Sequence, residues 1–219
     1  MQVILIIIGI IVLIGAIVGF AYWTDKKRRE ALQQAATELG LEFFPDGSET
    51  LQAELSGFKL FNSGRSRKLS KLIKGESDEV QLSIFDYQYT TGSGKHSHTH
   101  HQTVASMQST SLRICDFTMR PENMLDRLGS MIGIDDIDFD SHPNFSKMFL
   151  LKASTETAVR QLFKPALLEY FEGMKGISVE GLPGQIIIYR QGKRTAPTEI
   201  KSLLTEAYEV YGIFVDNIQ

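Results

Sequence analysis

Residues Val3 to Trp23 form an apolar run without a single charge, and Lys26, Lys27, Arg28 and Arg29 follow it at once. A bilayer core about 30 Å thick is spanned by roughly 20 apolar residues at a helical rise of about 1.5 Å each. Between Val3 and Phe20 only Gly9, Gly15, Ala16 and Gly19 are not Ile, Leu, Val or Phe. At roughly −0.3 to −0.6 kcal/mol for each large apolar residue near a helix centre, the segment inserts by several kcal/mol. Tyr22 and Trp23 stand where amphipathic rings favour the headgroup level, and the four cations mark the side kept in the cytoplasm. The expectation is an uncleaved single-pass anchor in the inner (plasma) membrane, N-terminus outside and C-terminal domain cytoplasmic. A cleavable signal peptide is the rival. Gly19-Phe20-Ala21 could serve as its cleavage site, but only Met1 and Gln2 precede the run, and the basic residues lie on the wrong side of it.

The rest of the chain reads as a folded domain. Lys plus Arg total 23 against 26 for Asp plus Glu, a net charge of −3, which argues against a general nucleic-acid binder. A hydrophobic content of 42% supports a core. The lone Cys115, beside Ile114 and Phe117, excludes an intrachain disulfide and reads as a buried thiol. The division expected is an anchor over 1–24, a juxtamembrane helix and linker over 25–45, and an α+β domain over 46–219 with a sub-boundary near 141–146.

Periodicity supplies the elements. Leu32, Ala35, Ala36 and Leu39 predict a helix over 24–39 that continues the membrane helix and stops at Gly40. Strands are expected at 41–44, 58–61, 80–89, 103–114, 135–140, 147–152, 177–180 and 185–189. Helices are expected at 51–56, 121–132, 155–163, 165–172 and over a closing amphipathic stretch that carries Ile200, Leu203, Leu204, Ala207, Tyr211 and Phe214. Pro183-Gly184 marks a hairpin turn, and Thr91 to Lys95 with the following histidines marks a hairpin tip. The fold class is α+β: an N-terminal transmembrane helix, then a mostly antiparallel sheet with helices packed on one face.

Phe145-Ser146-Lys147, Leu150-Leu151, Ala158-Val159-Arg160, Leu162-Phe163, Pro165 and Leu167-Leu168 resemble an uncharacterised bacterial domain of unknown function found in membrane-tethered proteins. Phe85-Asp86-Tyr87, Tyr89, Gly92-Ser93-Gly94 and Gln102-Thr103-Val104 resemble its central hairpin. The resemblance spans about residues 55–195. It implies a fold and a membrane setting, and no activity or catalytic residue.

Several local patterns bear on chemistry. His96, His98, His100 and His101 fall within one short stretch; on an extended strand the first three project to one side and could bind a divalent transition metal. A solvated hairpin tip is the simpler explanation of the cluster. Arg65, Arg67, Lys68, Lys71 and Lys74, interleaved with Leu69, Leu72 and Ile73, suit a surface facing anionic lipid, or a solvated strand. Asp136, Asp138 and Asp140 fail the calcium-loop pattern, because Ser141 and Lys147 stand where Gly and Glu are required. Gly92-Ser93-Gly94-Lys95 fails as a phosphate loop, with Tyr89 at the first glycine position and His96 after the lysine. Asp140, Ser141 and His142 are too close in sequence to converge as a triad. No catalytic signature emerges and no cofactor is called for. Gly15 and Gly19 form a GxxxG step that lets two membrane helices approach as a homodimer; small residues in a lone span satisfy the same pattern. The leading reading is a non-enzymatic membrane-anchored module for protein partners or the membrane surface. The alternative is a metal-binding membrane protein using the histidine cluster.

Overall fold

The computed structural model describes residues 2–122 and 136–216. A single helix, α1 (Gln2–Glu38), runs without interruption from the apolar segment into the domain. Among the described side chains, Ile6, Ile7, Ile10, Ile11, Val12, Leu13, Ile14, Ile17, Val18 and Phe20 are exposed and point to all sides of the helix. A helix that is apolar on every side and touches no protein is soluble only in an apolar medium. Among the described residues this is the one helix long and apolar enough to cross a membrane. From Arg28 onward the same helix turns one face to the domain, where Leu32 and Ala36 are buried. Gly40, at φ +70, ends it in the left-handed conformation that a side chain resists.

The domain is built on one antiparallel sheet of eight strands: β1 (Glu42–Phe44), β2 (Arg65–Glu76), β3 (Gln81–Thr91), β4 (His98–Gln108), β5 (Phe117–Pro121), β6 (Phe149–Ala153), β7 (Ser178–Leu182) and β8 (Gln185–Tyr189). Their order across the sheet is β1-β2-β3-β4-β8-β7-β5-β6. The central strands alternate between two buried faces. Leu82, Ile84, Ala105, Met107, Ile186, Ile188, Val179 and Met119 point to a main core shared with α1, α4 (Pro143–Met148), α5 (Glu156–Leu162), α6 (Pro165–Glu172) and α7 (Ile200–Asp216). Phe85, Tyr87, Tyr89, Val104, Ile187 and Tyr189 point the other way, to a smaller core under α2 (Glu49–Glu54) and α3 (Lys59–Asn62). The expected α+β architecture is present, and its long helices share one face; the short 49–62 segment covers part of the other.

Local differences have local causes. Residues 58–61 form a helical turn and not a strand, because Phe58, Leu60 and Phe61 all bury into the smaller core while the Glu180 carboxylate accepts the Lys59 and Leu60 N–H groups. The strand expected at 147–152 starts at Phe149, since Pro143 opens a helix that runs to Met148. Ile137 and Phe139 are buried and alternate with exposed Asp138 and Asp140, but the segment joins β6 by single bonds, Ile137 N–H to the Leu151 carbonyl and Leu151 N–H to Asp136 Oδ1, and makes no ladder. Strand β4 ends at Gln108, and β5, which is not among the expected strands, packs Phe117 against Gly181. Pro121 closes β5; the remainder of the helix expected over 121–132 lies almost wholly outside the described residues.

Candidate functional site at the helix–sheet junction

Where α1 leaves the apolar segment and meets the sheet, charged groups lock the two together. Asp86 lies in the middle of β3, on the main-core face, with 4% of its side chain exposed. Arg28 grips it with two parallel bonds, Nε to Oδ2 at 2.7 Å and Nη2 to Oδ1 at 2.7 Å. The planar guanidinium fork matches a carboxylate in this way, and such paired, charge-assisted bonds hold direction as well as distance. The third nitrogen of Arg28, Nη1, donates to the Thr195 carbonyl at 3.0 Å. Thr103 Oγ1 on β4 donates to Asp86 at 3.1 Å and accepts from the Thr195 N–H at 3.0 Å. Arg194 approaches Asp86 at 4.0 Å. One carboxylate thus joins α1, two central strands and the loop after β8.

A second pair stands one turn nearer the membrane. The β2–β3 register slips between Ser70 and Ile73, and within that bulge Lys71 adopts φ +53. A bulge re-aims a side chain. Here it sends the Lys71 ammonium to Asp25 of α1 at 2.7 Å, with the lysine 8% exposed and the aspartate 47% exposed. The Lys71 N–H is held by the Pro45 carbonyl at 2.9 Å. Burial alone would raise the Asp25 titration; the Lys71 hydrogen bond and charge, together with Arg29 and Arg194, outweigh it and lower the pKa below its ordinary value. On the exposed surface of the same turn, Lys27 lies over the Trp23 ring at 4.1 Å and Lys26 pairs with Glu30 at 3.9 Å.

The four cations read as a topology signal therefore differ in role. Lys26 and Lys27 stay on the exposed helix surface, Arg29 is half-buried, and Arg28 is the clamp. The basic stretch is also divided. Arg65 donates to the Gly92 carbonyl and to Ser97 Oγ, pinning the β3–β4 tip. Arg67 donates to the Asn62, Ser63 and Gly64 carbonyls after α3. Lys71 is buried at α1, Lys74 lies beyond the bulge opposite Ser83, and Lys68 is exposed.

The histidines do not act as one group. His96 belongs to a tight turn, Gly94–His96. His98 and His100 share a face of β4, their rings 4.6 Å apart and edge-on, and His100 also stacks on Tyr89 at 4.8 Å. His101 faces the other way, its Nδ1 2.8 Å from Arg194 Nη2, and burial followed by the Arg194 charge lowers its pKa. Among the described residues no three His, Cys, Asp or Glu side chains converge as metal ligands.

The sequence places Asp86 and Thr103 within the resemblance to the central hairpin without a role for either, and it singles out nothing at Asp25. The available signal was a carboxylate between Phe85 and Tyr87, in a strand whose two faces both read as apolar. Glu180 on β7 was missed for the same reason. It is buried, accepting Lys59 N–H at 2.7 Å, Leu60 N–H at 3.2 Å and the Tyr189 hydroxyl at 2.9 Å. Burial raises its pKa, and those bonds only partly offset the effect.

No protein-family model matches the chain, and no curated protein matches it. The fold is shared with a solved structure. The crystal structure of the mycobacterial trehalose monomycolate transport factor A, TtfA, aligns with a TM-score of 0.60 at 11% identity, over 88% of this chain and 93% of that chain. At that identity the likeness to TtfA is one of fold, extending over nearly the whole of both molecules.

Proposed function

We propose that this chain is a single-pass inner-membrane protein, N-terminus outside, whose cytoplasmic α+β domain is a non-enzymatic accessory module that receives protein partners at the membrane surface within a transport assembly. The observation that carries the reading is the Arg28–Asp86 clamp on an unbroken α1. A domain on a flexible linker explores many orientations; one whose sheet is bolted to its own membrane helix offers a fixed face at a fixed height, which a docking partner needs and a freely diffusing enzyme does not. The transport role named for TtfA supports the assembly class and no particular cargo. Fusions of alkaline phosphatase and of a fluorescent protein to the C-terminus test the topology: fluorescence without phosphatase activity is expected, and the reverse overturns it. Crosslinking in intact membranes before solubilisation tests the partner role, which fails if no membrane protein is recovered reproducibly. Gly15 and Gly19, exposed on α1, supply a surface for self-association, and Gly15→Leu with Gly19→Leu would abolish a crosslinked dimer formed there.

A second reading rests on the His98–His100 contact, two imidazoles on one strand face. Titration of the full chain with Zn(II), Ni(II) and Cu(II) tests it. Unchanged affinity on replacing His96, His98, His100 and His101 by Ala ends that reading.

A further inference from the structure

Beside the clamp, between α1, the β1–β2 turn and the loop after β8, lies a cavity of about 240 Å³ whose charged walls are Asp25, Arg29, Asp46, Lys68, Lys71 and Arg194. Four cations meet two carboxylates. Lys71 is committed to Asp25, and Arg194 leans toward Asp86 and His101. Among the described residues Arg29 and Lys68 form no ion pair, so the cavity carries positive charge that Asp46 alone does not balance. Like charges gathered at one concave spot repel, and an anion seated among them relieves the repulsion.

Its height is set by α1. Asp25 and Arg29 follow Trp23 by two and six residues, so the cavity begins roughly 3 Å and ends roughly 9 Å beyond the aromatic belt at about 1.5 Å per residue. The headgroup layer on each side of a bilayer is about 5–8 Å deep. The cavity therefore opens at the level of lipid phosphates, and the rigid junction keeps it there. We infer that this cavity is a phosphate site that takes the headgroup of an anionic lipid in the leaflet next to the domain. The inference rests on the membrane-anchored reading and names the ligand class of its membrane-facing side. It narrows the basic stretch to Lys68 and Lys71 and adds Arg29 and Arg194, which lie far from it in sequence.

The full chain in phosphatidylcholine nanodiscs, titrated with short-chain phosphatidylglycerol, tests the site. Each cation near a headgroup is worth about fivefold in affinity, so Arg29→Gln with Lys68→Gln is expected to weaken binding about 30-fold, and Lys68→Gln alone about fivefold. The Lys68 side chain is exposed and forms no ion pair among the described residues, so the single variant remains informative if the double variant unfolds. The exposed pair Lys175→Gln with Lys201→Gln, outside the cavity, should leave affinity unchanged. Equal affinity in the wild type and both cavity variants overturns the site, as does an equal loss in the control pair. A parallel titration with inorganic phosphate separates the sources: binding as tight as that of the lipid overturns the headgroup assignment. Both leaflets of a nanodisc are accessible, so a reversed topology in cells would sink the functional reading without altering this measurement.

Discussion

Replacing Arg28 by Met keeps the length of the side chain and removes its charge, leaving Asp86 buried without its principal partner. Breaking a buried pair from one side costs about 3–5 kcal/mol, because the remaining charge stays desolvated. Two features place this site at the lower end. Arg28 retains 14% exposure, and Arg194, already 4.0 Å from the carboxylate, can move in. The expected cost is about 3 kcal/mol, or a melting temperature roughly 6–12 °C lower for a chain of this size. Thermal unfolding of the full chain in mild detergent, followed by near-UV circular dichroism of the buried Tyr87, Tyr89 and Tyr189, measures it. Asp86→Asn strands the arginine in the same way. The double variant leaves no charge uncompensated, so its cost should fall well short of the sum, with a coupling of about 2 kcal/mol. Amide exchange in residues 28–38 of α1 should quicken in both single variants before the sheet opens. A shift below about 2 °C for Arg28→Met, or a strictly additive cycle, would show that the apolar seam of Leu32 and Ala36 holds the helix by itself and that the clamp is ornamental.

Three further outcomes follow from particular contacts. Asp25 has its folded pKa below the ordinary 3.8, so the stability it contributes is complete above that value and is lost as pH falls through the lower folded value; Lys71→Met should erase this acid-side slope and cost only about 1 kcal/mol, since Asp25 is half exposed. Glu180 has its folded pKa above 4.5, so the fold keeps a proton that the unfolded chain has already released, and its contribution declines as pH rises from 4.5 through the folded value. Glu180→Gln should flatten that decline in pH-dependent unfolding, while Glu180→Ala, which strands the Lys59 and Leu60 N–H groups, should destabilise at every pH. A Cβ at Gly181 would collide with the Phe117 ring, so Gly181→Ala should cost about 2 kcal/mol by overpacking, whereas Gly212→Ala, in open space on α7, should stabilise by about 0.5–1 kcal/mol.

What the sequence made legible and what it concealed divide along one physical line. The apolar run, the continuation of α1, and the hairpin at Pro183-Gly184 were readable because each is specified by residues adjacent in the chain. Leu32 and Ala36 announce a buried helical face by spacing alone, and both are buried. The short helix at 59–62 was misread as a strand because its decisive partner, Glu180, is 120 residues away from Leu60. The junction was hidden in the same way: Arg28 looked like one of four interchangeable cations, and only the fold shows it 58 residues from the aspartate it binds. Charge runs are read as sums when the chain is a string, yet in the folded molecule the members of each run separate into clamps, caps and exposed cations. Arg65 and Arg67 spend their charge on nearby carbonyls and Lys71 on α1; among the described residues Lys68 and Lys74 form no ion pair, and of these two Lys68 is the exposed one beside α1. A cation that the fold already uses is a poor lipid ligand, because releasing it exposes a buried partner. The membrane-facing charge of this domain is therefore set by which basic residues near α1 the fold leaves unspent, and at the cavity these are Arg29 and Lys68.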